Sequence, residues 1–108
     1  MTLTGLKNIL LELTPYSFHY KANAKPDRYI VWAEDSEGSS VYIDNRKQLQ
    51  SIQGTIDYFT RTDNDPMVAA LQNKLSVNEI PWKLSSVQYE EETGYIHYEW
   101  VWEVDALG

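Results

Sequence analysis

The run Ile96-His97-Tyr98-Glu99-Trp100-Val101-Trp102-Glu103-Val104 constrains the fold more than any other stretch of the chain. Ile96, Tyr98, Trp100, Trp102 and Val104 fall on every second position, with His97, Glu99, Val101 and Glu103 between them. A period of two carried by aromatic and branched residues marks a strand with one buried face. Each aromatic ring brings roughly 150–250 Å² of surface, so this face needs a large cover. Either the chain's own helices or another subunit must provide it.

At 108 residues the chain is expected to form a single domain with a real core, 1–108 throughout. Its 43% hydrophobic and 13% aromatic content argues for a folded chain over a disordered one. It has no cysteine, which removes disulfides, thiolate metal sites and cysteine nucleophiles. No apolar run approaches a membrane span, and the start, Met1-Thr2-Leu3-Thr4-Gly5-Leu6-Lys7, lacks the pattern of a signal peptide. The expectation is a chain made in a cytoplasm, without membrane contact. Sixteen acidic against nine basic residues leave a net charge of -7. That balance disfavours duplex binding, which needs concentrated Lys and Arg. It suits solubility, or the lining of a space where DNA must not stick.

Leu3, Leu6, Leu10 and Leu13 form one stripe, predicting a helix over 4–13 with Thr4 as N-cap. Ile9 and Leu11 widen that stripe, which allows burial from two sides. Pro15 stops the helix, and 16–20 fits either a short strand or a helical tail. The β-rich run 28–34 and the run 41–44 are expected to form a hairpin about a turn at 35–40. A polar link, 45–50, leads to a third strand over 52–60, where mid-strand Gly54 signals a bulge or a close backbone approach. Asp65-Pro66 opens a second helix to about residue 75, with Asp65 as N-cap and Val68, Leu71 and Leu75 on one face. Strands over 82–90 and 95–104 then form a hairpin about the turn 91–94. Pairing Glu90 with Tyr95 sets Tyr89 opposite Ile96, Val87 opposite Tyr98 and Leu84 opposite Val101. In that register Trp82, Leu84 and Val101 lie on the reverse face, away from the helices. The whole is an α+β domain: a mainly antiparallel sheet of about five strands with two helices on one face.

Signals for chemistry are sparse. His19 and His97 lie far apart without a metal-ligand motif, and no common nucleotide or hydrolase signature occurs. His97 beside Glu99 on a strand face could share an acid–base or metal role, or be an ordinary surface pair. Asp63-Asn64-Asp65 opens like a calcium loop, but Val68 and Lys74 stand where that loop needs glycine and glutamate. Glu90, Glu91 and Glu92 fit a cation site, a partner's patch or a solvated turn. The aromatic residues fit either a packed core or the wall of a small-ligand cavity. No enzyme activity, metal or cofactor is expected.

The leading helix, the run Ile52-Gln-Gly-Thr-Ile-Asp-Tyr-Phe-Thr60, the Asp65-Pro66 helix start and the stretch Trp82…Tyr89-Glu-Glu-Glu-Thr-Gly-Tyr-Ile-His-Tyr-Glu-Trp100 together resemble small head–tail junction proteins of tailed bacteriophages and prophages. They are most similar to the tail terminator, or tail-completion, family. The similarity spans roughly residues 50 to 104; the hairpin at 28–44 has no match. The resemblance implies a structural virion protein without catalytic residues, made in the bacterial host cytoplasm. Such proteins form a ring, typically of six subunits, between the tail tube protein and the head connector protein, and DNA only passes through the lumen. Another minor capsid or stopper component, or a small-ligand-binding α+β cone domain, are the alternatives. Candidate contacts with other subunits or partners are Trp82, Leu84 and Val101 on the reverse face, and the loops 35–40, 61–65 (Arg61, Asp63) and 90–94 (Glu90, Glu91, Glu92).

Overall fold

The computed structural model describes residues 1–38, 41–43, 46–49 and 51–105. The order is α1 (Leu3–Leu13), β1 (Ser17–His19), β2 (Arg28–Glu37), β3 (Val41–Ile43), β4 (Arg46–Leu49), β5 (Ser51–Thr60), α2 (Pro66–Val77), β6 (Trp82–Glu90) and β7 (Tyr95–Asp105). A five-stranded sheet runs β1-β2-β5-β7-β6, antiparallel except where β1 pairs parallel with β2. Both helices pack on one face of it. The fold is α+β, as the sequence predicts.

Strand β7 lies inside the sheet, between β5 and β6, and its alternation supplies one buried face. It pairs with β5 without a break, Ser51 opposite Asp105 through Thr60 opposite Ile96. Trp100, Trp102 and Val104 from β7, Ile56 and Tyr58 from β5, and Ile30 and Trp32 from β2 meet Leu6, Ile9 and Leu10 of α1 and Leu71 and Leu75 of α2. Two of the indoles hydrogen-bond beyond the sheet: Trp100 Nε1 donates to Gln72 Oε1 at 3.1 Å, and Trp82 Nε1 to Ser76 Oγ at 2.8 Å. Helix α1 starts earlier than expected. Thr2, not Thr4, is the N-cap, and its hydroxyl accepts the Gly5 N–H at 3.1 Å. The helix is buried from one side, because Ile9 is enclosed while Leu11 remains exposed.

The central hairpin differs from the expected one. β2 continues through Asp35, Ser36 and Glu37, where the sequence predicts a turn, and its antiparallel partner is β5. β3 pairs instead with β4, inside the stretch expected to be a plain link, and these two form a separate ribbon. Ser39, Ser40, Asp44, Asn45 and Gln50, parts of the expected turn, strand and link, lie outside the described residues. β-Rich runs do not reveal their own partners; burial does, and the apolar face of 28–34 is matched by that of 52–60. Gly54 serves both of its expected roles. A Cβ there would strike the Ala33 carbonyl oxygen and the Trp102 ring, and β2 bulges at Asp35 against it.

The parallel pairing of β1 has a consequence for the other face. Parallel neighbours cannot be joined by a tight turn, so the chain must cross a face of the sheet between them. With α1 on one face, the segment 20–27 passes over the reverse face. Tyr95 Oη holds it there by donating toward the Lys25 and Pro26 carbonyl oxygens at 3.0 and 2.7 Å.

Candidate functional site

The hairpin of β6 and β7 keeps the predicted register at its tip, with Glu90 opposite Tyr95, Tyr89 opposite Ile96 and Val87 opposite Tyr98. Beyond these pairs an irregularity at Ser85 shifts the pairing by one residue. Leu84 therefore faces Trp100, not Val101, and Trp82 faces Trp102. A one-residue slip exchanges the faces of every residue past it. Trp82 and Leu84 consequently lie on the helix face, and the expected reverse-face cluster with Val101 does not form. Val101 stays on the reverse face, half-buried, opposite Lys83.

The uncovered apolar surface is elsewhere. β6 is an edge strand, and the helices do not reach its outer half. Leu84, Val87 and Tyr89 are exposed at 38, 50 and 65% on the same face as Trp100, Tyr98 and Ile96. The sequence places Val87 and Tyr89 beside the core; the structure leaves them bare. What the residues alone do not show is the extent of helix cover, because two short helices cannot span five strands.

Of the three candidate loops, two meet. Arg61 Nε donates to the Thr93 carbonyl oxygen at 3.0 Å, its Nη1 bonds Asp27 Oδ1 at 2.7 Å, and its guanidinium lies 4.1 Å over the Tyr95 ring. Arg61 is thus a strap across three segments and is already engaged within the chain. Asp63, Glu91 and Glu92 project outward beside it, whereas Glu90 is half-buried. Of the third candidate loop, Asp35, Ser36 and Glu37 belong to β2 at the opposite end of the sheet, since Glu37 pairs with Ile52 and Ile52 with Val104.

Asp65 is no calcium ligand in waiting. It is 4% exposed, and its carboxylate accepts from Tyr58 Oη at 2.6 Å, Thr60 Oγ1 at 2.7 Å and the Met67 N–H at 2.9 Å. Arg28 Nε lies 3.3 Å away. Burial pushes its pKa up, but these hydrogen bonds and the Arg28 charge outweigh that and hold it below the ordinary 3.8.

The reverse face carries a group the sequence hinted at only through His97 and Glu99. His97 Nε2 is 2.7 Å from Asp57 Oδ1, and its Nδ1 is 3.8 Å from Glu90 Oε2. The hydrogen bond to Asp57 raises the imidazole pKa above 6.5; burial opposes this, and the negative charges of Asp57, Glu90 and Glu99 add to it. Phe59 stacks on the imidazole at 4.2 Å, and Tyr29 stacks on Phe59 at 4.7 Å. A cleft of about 390 Å³, floored by Tyr29, Val31, Asp57, Phe59 and His97, opens beneath the segment 20–25. Asp57 was invisible as a member because it lies on another strand, forty residues away.

No protein-family model matches the chain, and no curated protein matches its sequence.

Proposed function

We propose that the chain is a structural protein of a tailed-phage or prophage virion that caps the tail tube and joins it to the head as a ring. The observation that carries this reading is the open β6 edge, where Leu84, Val87 and Tyr89 leave a strip of apolar side chains in solvent. Exposed edges invite strand pairing or docking. The occupant is a second copy, because repeated use of one edge against a different surface of the next subunit closes a ring when the rotation allows. The sequence resemblance supplies the context. The net charge of -7 fits a lumen through which DNA passes without sticking. The ligand-cone alternative is less well supported: Trp100 and Trp102, its natural wall, are 0 and 1% exposed in the core.

The test is light scattering on concentrated protein, negative-stain imaging, and micrographs of tails assembled with and without the chain. Discrete rings, and tails that overgrow or fail to join heads when the chain is missing, are expected. A strict monomer that never adds to tail tubes overturns the reading.

A further inference from the structure

Where β5, β7 and β6 run side by side, the reverse face sets one imidazole among three carboxylates. Asp57 and Glu99 stand directly opposite each other across the two central strands. Like charges in that position destabilise a strand pair. Among the described residues, His97 is the one cationic partner within ion-pair distance of Asp57, and no Lys or Arg forms an ion pair with Glu99. One ligand atom from each of Asp57, His97 and Glu99 can be chosen so that all lie within 4.8 Å of one another. A bound ion with bonds of about 2.1 Å holds its ligands roughly 3–4 Å apart, so small carboxylate rotations close the set.

Two further observations point the same way. Metal-binding histidines commonly present one ring nitrogen to the ion and the other to an outer carboxylate. Here Nε2 faces Asp57, and Glu90 lies on the Nδ1 side at 3.8 Å. The ring is held in that orientation by the Phe59 stack. The cleft whose floor includes Asp57 and His97 also leaves room for the water ligands that three protein groups would not replace.

We propose that Asp57, His97 and Glu99 bind one divalent cation of the zinc or manganese type on the reverse face of the sheet. One imidazole nitrogen with two carboxylate oxygens suits these ions, whereas calcium and magnesium favour all-oxygen sets. The ion clamps β5 to β7 and removes the repulsion between Asp57 and Glu99. This site belongs to the single chain and does not depend on ring formation.

The experiment uses the full chain, stripped with a chelator and titrated with zinc chloride, manganese chloride or magnesium chloride by calorimetry and thermal melting. Saturable binding of one zinc or manganese ion per chain, with a raised melting temperature, is expected, and magnesium should do neither. Glu99→Gln and Asp57→Asn keep shape and should each weaken binding by roughly tenfold or more. His19→Gln removes the other histidine and should leave binding unchanged. Manganese should broaden the amide resonances of residues 57 and 97–99. Broadening centred on His19 or on the 91–93 turn, a response to magnesium alone, or equal affinity in Glu99→Gln each overturns the proposal. A monomeric chain that binds the ion as described leaves the site standing while the ring reading falls.

Discussion

Asp65 shows how one residue can serve two scales of order. Its backbone ends the β5–α2 connection and its side chain caps the helix, while Tyr58 and Thr60 reach it from the sheet. Removing it strips a cap and leaves two buried hydroxyls and Arg28 without their acceptor. Asp65→Ala should therefore cost about 2–4 kcal/mol in urea denaturation. The pH dependence has a definite sign. Because the folded-state pKa lies below 3.8, the carboxylate's contribution is complete above that value and is lost as pH falls through the folded pKa. Asp65→Asn should thus be less stable than the parent at neutral pH, and the gap should narrow below about pH 4. A gap that stays constant into acid contradicts this assignment. The capping role was legible from Asp65-Pro66; the sheet's two hydroxyls were not, since they depend on where β5 ends in space.

At the scale of elements, the edge strand β6 is the most consequential. Its tip register followed from the turn, but the bulge at Ser85 rotated Trp82 and Leu84 onto the helix face. No residue type at 85 announces such a bulge. Leu84 thereby joins Val87 and Tyr89, which the helices leave uncovered, in one bare strip, and that strip makes a prediction. Val87→Lys with Tyr89→Lys changes exposed side chains, so folding stability should move by less than about 1 kcal/mol. On the proposed ring, self-association by light scattering should nonetheless be lost. A double variant that still assembles like the parent removes β6 from the interface.

Across the whole molecule, the two ends of the sheet differ. One end gathers the strap of Arg61, the outward Asp63 and the Glu91–Glu92 turn; the other carries the end of β2 and the start of β5. A ring that meets a tube on one side and a connector on the other needs two such ends. On the proposed function, reversing Glu91 and Glu92 to lysine should leave ring formation intact and impair joining to one partner, scored by micrographs of tails and heads. Full joining in that variant excludes the tip as a contact. Glu90 is best left alone there, because it faces His97 from the interior side of the turn.

The sequence by itself determined the class of fold, the strand at 96–104 with its buried aromatic face, both helices and the Asp65 cap. These rest on local rules: periodicity of two or 3.6, and capping chemistry within a few residues. Tertiary structure alone decided that β2 pairs with β5, that β1 runs parallel and sends 20–27 over the reverse face, and that Asp57 joins His97 and Glu99. It also decided that Leu84, Val87 and Tyr89 are bare. Each of these depends on which strands become neighbours and how far two helices extend across them, and no alternation within a single segment encodes that distance.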